Sequence, residues 1–152
     1  LKGGLTTILE KSLGAVAKAG SSPLDAVIDY AAPPRVSGLV FMDSPGYDPV
    51  SATGQIASGA KLIVFTTGRG SVFGSKPAPT LKVSSNPALT ASMPDDIDVD
   101  AGRVLTGARA LEEVADELYE AMLATASGAR TASEREGLGD AEFIPWTPGP
   151  TL

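Results

Sequence analysis

The 152-residue chain contains no cysteine and no histidine. The first absence excludes a disulfide framework, a zinc–thiolate or iron–sulfur centre and a thiol nucleophile supplied by this chain. The second excludes a Ser-His-Asp triad, a histidine metal ligand and an imidazole general base. Aromatic residues are scarce at 5%, and Trp146 is the only tryptophan. No apolar run approaches the roughly 18 residues of a membrane-spanning helix, and no signal peptide precedes the first helix, so no membrane role is expected. Basic residues are outnumbered, with a net charge of −6, which argues against a nucleic-acid module.

What is present suits one globular domain. Hydrophobic residues make up 43% and charged residues 20%, which excludes a disordered chain. A chain of this length buries roughly 70% of its unfolded surface, enough for one core. The charge is uneven. Residues 1–94 carry eight basic and five acidic residues, whereas residues 95–152 carry four basic and thirteen acidic ones. An anionic ligand is therefore sought in the front part. The chain opens on Leu1 rather than Met, which reads as a piece of a longer protein, and a cytoplasmic location is expected.

Periodicity and punctuation predict the elements. Thr7 with Glu10 is a capping-box pattern, Ile8, Leu9, Leu13 and Val16 share a face, and Gly20 is a stop, predicting a helix over about 7–19. Ser22-Pro23 followed by Asp25 predicts a second short helix, ended by Pro33-Pro34. Leu39–Met42 and Leu62–Phe65 are short unalternating apolar runs, as in central strands of a parallel sheet. Between them Asp48-Pro49 is read as the cap of a helix reaching about Gly59, giving a right-handed βαβ unit. A strand is expected over 80–84, a short helix from Asn86-Pro87, and a helix over 109–126 with Leu111, Val114, Ala115, Leu118 and Met122 inward. Its acidic face reads as solvated surface, and Gly128 as its stop. Residues 139–152 read as an irregular tail packed on the body through Trp146. The fold class is α/β: a three-layer, Rossmann-like, open and mostly parallel sheet with helices on both faces.

In such a sheet ligands bind beyond the carboxyl ends of the strands. Three exits are polar: Asp43 to Asp48, Thr66 to Ser71, and Ser84 to Asn86. The second is the most informative. Gly68 and Gly70 flank Arg69 directly after an apolar run; glycines admit a ligand close to the backbone, and arginine grips a carboxylate with two parallel hydrogen bonds. A tight turn with an exposed arginine is the bland alternative. Other motifs fail. Gly68-x-Gly70-x-x-x-Gly74 is misspaced for a dinucleotide loop, and Pro77 and Pro79 forbid the helix that should follow. Gly74-Ser75-Lys76-Pro77 lacks the Walker A order. Asp95 to Asp100 resembles a calcium loop, but Gly102 comes one place late and Gly107 stands where the bidentate Glu is needed. A solvated turn and a looser carboxylate–metal role both stay open there. Glu10-Lys11 is either an exposed helical charge pair or, in a cleft, a proton-transfer pair.

Several segments together carry a resemblance: Gly3-Gly4-Leu5-Thr6-Thr7 through Glu10-Lys11-Ser12-Leu13-Gly14, then Phe65-Thr66-Thr67-Gly68-Arg69-Gly70, Lys82-Val83-Ser84-Ser85-Asn86, Ile97-Asp98-Val99-Asp100-Ala101-Gly102 and Thr151-Leu152. In this order they resemble the C-terminal part of the altronate/galactarate dehydratase family, a group that includes the sulfolactate sulfo-lyase large subunit. The resemblance spans essentially the whole chain and implies a single C-terminal domain over 1–152. It implies a lyase that dehydrates hexonic or hexaric sugar acids to 2-keto-3-deoxy acids with a divalent metal, typically iron. The metal ligands are expected mostly outside this chain, in the N-terminal and central regions of the same protein, and this piece alone is expected to be inactive. Where the altronate enzymes carry Cys after Ser-Leu-Gly, this chain has Ala15, so any role of that thiol is lost.

Within that resemblance Arg69, with the Gly68 and Gly70 backbone, is expected to hold the substrate carboxylate, and Thr66, Thr67 and Asn86 its hydroxyls. Lys82 would offset negative charge unless it is a plain strand lysine. Asp48 is either a substrate ligand or a helix cap, and Glu10 and Lys11 are the proton-transfer candidates. A non-catalytic α/β domain that binds an acidic small molecule or mediates assembly, a sulfo-lyase-like subunit, and self-association all stay open.

Overall fold

The computed structural model describes residues 7–147 and Gly149. Gly3 to Thr6 of the first motif and the closing Thr151-Leu152 lie outside these. Helix α1 runs Ile8–Lys18, and the Thr7 hydroxyl accepts the Glu10 amide at 3.2 Å, as the capping pattern predicts. The apolar stripe is not buried by the described residues: Ile8, Leu9, Leu13 and Val16 are 60% to 86% exposed.

The expected second helix is instead strand β1, Leu24–Ile28. It pairs in parallel with β2, Leu39–Met42, and the Asp25 carboxylate accepts the Leu39 amide at 2.9 Å. Proline before the first residue starts a strand as readily as a helix, because the ladder loses no donor. The β-branched pair Val27-Ile28 and a distant partner strand decide the outcome.

Helix α2, Asp48–Ala57, follows β2 and leads to β3, Ile63–Thr67. Its N-cap is Tyr47, with no side-chain cap; Asp48 lies in the first turn, where its charge suits the helix dipole. The strand–helix–strand order is as predicted, but β2 and β3 are not hydrogen-bonded to each other. The parallel strands fall into two sheets, β1-β2 and β3-β4-β5. The protein is thus α/β, without the single open sheet expected.

Strand β4, Thr80–Ser84, lies between β3 and β5, Val99–Asp100, and all five of its residues are buried. Alternation puts Leu81 and Val83 on one face and Thr80, Lys82 and Ser84 on the other. Val83 joins Val99 and Val114 in the core, with Val104, Leu118 and Ala121 packed against them. Helix α3, Pro87–Ser92, is capped by Asn86 as predicted. Helix α5, Leu111–Ala126, buries Val114 and Thr125, whereas Leu111 and Ala115 of the predicted stripe are exposed. Two four-residue helices escaped prediction, α4 at Gly102–Leu105 and α6 at Ala132–Arg135.

The aspartate run is not simply a solvated turn, since three of its carboxylates hold structural contacts. Asp98 accepts the Lys82 and Ala132 amides, each at 2.7 Å, joining β4 to α6. Asp100 accepts the Gly102 amide at 2.9 Å, and Asp96 pairs with Lys82. The tail lies over α2 as expected: the Ile144 amide donates to Thr53 Oγ1 at 2.8 Å, and Trp146 meets Tyr30 edge-to-face at 5.5 Å. Among the described residues no helix is long and apolar enough to cross a membrane.

Two glycine substitutions should act oppositely. A Cβ at Gly54 would lie 2.3 Å from the Tyr30 ring, whose hydroxyl donates to Val50 O and whose edge supports Trp146. Overcrowding there should outweigh the helix propensity of alanine, so Gly54→Ala should cost about 1–2 kcal/mol in urea unfolding. A Cβ at Gly14 meets nothing within 4 Å. Gly14→Ala should raise α1 helicity by circular dichroism without shifting the global midpoint.

Glu113 accepts the Ala110 amide at 2.9 Å, and this bond, with Arg109 alongside, holds its carboxyl below the usual glutamate range. A depressed folded pKa stabilises the fold above the unfolded pKa, and that contribution fades as pH falls through the folded value. Glu113 should therefore titrate below a free glutamate by NMR, and Glu113→Gln should flatten the acid limb of the stability curve.

Candidate functional site

Four consecutive observations place a cleft at the carboxyl end of β3. Strand β3 ends at Thr67, and the chain turns at once through Gly68-Arg69-Gly70-Ser71. The first turn of α2, through Asp48, faces this loop. Between them is a cleft of about 530 Å³, lined by Asp48, Ser51, Ala52 and Gln55 of α2 and by residues 63–71. It brings together six of the ten residues singled out from sequence: Asp48, Thr66, Thr67, Gly68, Arg69 and Gly70.

The loop is held by its own strand end. Thr67 Oγ1 accepts the Gly70 amide at 3.0 Å and the Arg69 amide at 3.3 Å. Gly70 has φ +95°, which favours glycine, and a Cβ there would also crowd Met93 Sδ at 3.0 Å and Leu89 Cδ1 at 3.1 Å. Arg69 is exposed at the crest. Among the described residues the Arg69 side chain has no ion-pair or hydrogen-bond partner, unlike Arg103 and Arg109, which pair with Glu117 and Glu113. A guanidinium left unpaired at the mouth of a cleft is available to an incoming carboxylate.

Across the cleft Asp48, Ser51 and Gln55 form one polar stripe on α2. Gln55 Nε2 donates to Ser51 Oγ at 3.4 Å, and Ser51 also meets Ser44 Oγ at 3.1 Å. Ser51 and Gln55 were missed from sequence, although their spacing of three and seven from Asp48 puts them on one helical face.

Four candidates stand outside this lining. Asn86 caps α3 by accepting the Ala88 amide at 3.1 Å, and its Nδ2 donates to Gly68 O at 3.3 Å, so it touches the loop from behind. Lys82 is fully buried, with its ammonium on Ser71 O at 3.1 Å and Asp96 Oδ1 at 3.4 Å. Glu10 and Lys11 are exposed on α1 and do not line the cleft. Among the described residues no group of three or more carboxylates could hold a metal ion.

Comparison with known proteins adds an independent line. The sequence profile described as "D-galactarate/Altronate dehydratase, C-terminal" matches residues 1–151. The chain is 38% identical over 138 residues to galactarate dehydratase (L-threo-forming) of Escherichia coli, covering 90% of this chain and 26% of that protein. It is 41% identical over 145 residues to the (2R)-sulfolactate sulfo-lyase subunit beta of Chromohalobacter salexigens, covering 95% of this chain and 37% of that protein. It is 35% identical over 133 residues to altronate dehydratase of Escherichia coli, covering 88% and 26%. The chain thus spans only about a quarter to a little over a third of the length of these relatives.

Thr67→Val keeps the side-chain shape and removes the acceptor of two loop amides. It should cost about 1 kcal/mol of stability and speed hydrogen exchange at Arg69 and Gly70 while β4 amides stay protected; uniform exchange across the loop and β4 would contradict this anchoring.

Proposed function

Because the chain belongs to the family of D-galactarate/altronate dehydratase C-terminal domains, we propose that it supplies the carboxylate-binding part of a sugar-acid hydro-lyase. The longer protein would convert a hexonic or hexaric acid of the galactarate or altronate type to a 2-keto-3-deoxy acid. The observation that carries this reading is the unpaired Arg69 on a glycine loop at the mouth of a polar cleft.

The reaction removes the proton next to the carboxylate, and its electron pair forms a carbon–carbon double bond as the β-hydroxyl leaves with a proton as water. The enol then tautomerises to the keto acid. Negative charge stays on the carboxylate oxygens along this path, so a bidentate guanidinium holds the substrate in the ground state and goes on holding it as the enediolate forms, a uniform contribution that shows chiefly in KM. Gly68 and Gly70 allow the substrate to approach the backbone. Thr66, Thr67, Ser51, Gln55 and Asp48 take hydroxyls; the Thr67 hydroxyl already accepts two amides and keeps its own proton to donate. Asn86 holds Gly68 in place. Glu10 and Lys11 carry the proton-transfer role only where α1 docks over the cleft in the longer protein.

The resemblance also implies a divalent metal, with iron the typical choice. The chain has no His or Cys and the described residues hold no ligand cluster, so its own residues do not fit such a centre. Any metal would be held by parts of the longer protein beyond this chain. A sulfo-lyase reading is favoured by the Chromohalobacter relative. It uses the same arginine on the carboxylate and differs in the leaving group, sulfite in place of hydroxide.

In the full-length protein Arg69→Ala should lower kcat/KM on galactarate or altronate by roughly 10- to 100-fold, mostly through KM, since a hydrogen bond to a charged group contributes about 1.5–3 kcal/mol. Arg69→Lys should recover part of the loss. Colorimetric detection of 2-keto-3-deoxy acid reads the result, and sulfite release from sulfolactate separates the two leaving groups. Unchanged turnover and unchanged KM in Arg69→Ala would sink the assignment.

A further inference from the structure

We propose that Lys82 is a positioning residue that fixes where Arg69 stands, acting through the Ser71 carbonyl rather than on substrate. This rests on the carboxylate-binding role given to Arg69 above.

A strand lysine ordinarily reaches solvent. Lys82 is instead wholly enclosed on the central strand and does not line the cleft. A buried ammonium is costly to desolvate, and an apolar side chain of similar length is often at least as stable in such a place. What the ammonium adds is direction. Of its three donors, one meets Ser71 O at 3.1 Å and another Asp96 Oδ1 at 3.4 Å.

The position of Ser71 gives that bond its consequence. Arg69 sits midway between two anchors, each two residues away. On the strand side, Thr67 Oγ1 takes the Arg69 and Gly70 amides. On the far side, Ser71 is held by Lys82, and two residues beyond it the Phe73 ring stacks on Phe65 at 5.4 Å. Phe65 is the register partner of Lys82, so the same face of the sheet holds both contacts. Between the anchors lie Gly68 and Gly70, which resist bending least. Releasing Ser71 moves the far anchor out to Phe73 and lengthens the loosely held, glycine-containing stretch that carries Arg69. The guanidinium then samples many positions and binds a carboxylate less tightly, because the ordering cost falls on the binding step.

The test uses the full-length protein with galactarate or altronate. Lys82→Met should raise KM about tenfold, in line with loss of one charge-assisted hydrogen bond, with kcat changed less than KM. Asp96→Asn leaves the lysine bonded to Ser71 and should give a smaller rise. In the Arg69→Ala background neither substitution should raise KM further, because the group they position is gone. An unchanged KM in both variants, or full additivity with Arg69→Ala, overturns the proposal. If Lys82→Met does not fold, Asp96→Asn and its cycle with Arg69→Ala decide. If Arg69→Ala itself leaves KM unchanged, the carboxylate-binding reading has failed; Lys82 is then judged by hydrogen exchange at Gly70, where faster exchange in either variant supports loop positioning and unchanged exchange overturns it.

Discussion

Strand β4 is enclosed on both faces and both edges, and most of the described structure is arranged around it. Its two neighbours are parallel, so neither can be reached by a tight hairpin; each arrives by a crossover or a long loop. One face of β4 meets an apolar core completed by Val99 and Val114. The other face carries Thr80, Lys82 and Ser84, all buried polar residues. Burying a polar face is costly for each group that lacks a partner, so most of its groups are paired. Ser84 Oγ accepts the Asn86 amide and donates to its carbonyl, at 3.1 and 3.0 Å, turning the chain toward α3. Lys82 finds Ser71 and Asp96. Thr80 Oγ1 has no partner among the described residues.

The acidic run after α3 follows from the same requirement. A two-residue strand such as β5 forms few ladder bonds, and side chains add the rest. One Asp98 carboxylate takes an amide from β4 with one oxygen and an amide from α6 with the other. The result ties together three segments of the chain through one residue. Hydrogen bonds to a charged acceptor contribute more than neutral ones, which suits a region where short elements bury little apolar surface.

The cleft inherits its rigidity from these ties and its chemistry from what they leave unpaired. Its back wall is β3, held by β4. Its mouth is a glycine loop fastened by Thr67 and by the Asn86 side chain, with Arg69 exposed between. The front part of the chain also leaves apolar surface uncovered. Val27 and Phe41 are register partners on the first sheet, and both are more than half exposed, as is the stripe of α1.

Local pattern was enough for a part of this. The absence of Cys and His limits the chemistry of the chain whatever its fold. Thr7 and Asn86 cap their helices within three residues, and the strands expected at the apolar runs 39–42 and 62–65 and at 80–84 form as β2, β3 and β4, because these outcomes depend on neighbours along the chain. The Thr131…Glu134 capping box obeys the same rule as Thr7…Glu10 but opens a helix too short for periodicity to register. Tertiary structure decided the rest. Leu24–Ile28 became a strand because β2 offered it a partner. The apolar runs β2 and β3 parted into different sheets. Asp96 and Asp98 proved to be partly buried connectors, and Lys82 a wholly enclosed lysine rather than a cleft residue or a solvent-facing strand lysine. Each depends on a group far away in sequence, and a carboxylate or ammonium reads alike in sequence whether water or a distant backbone amide satisfies it.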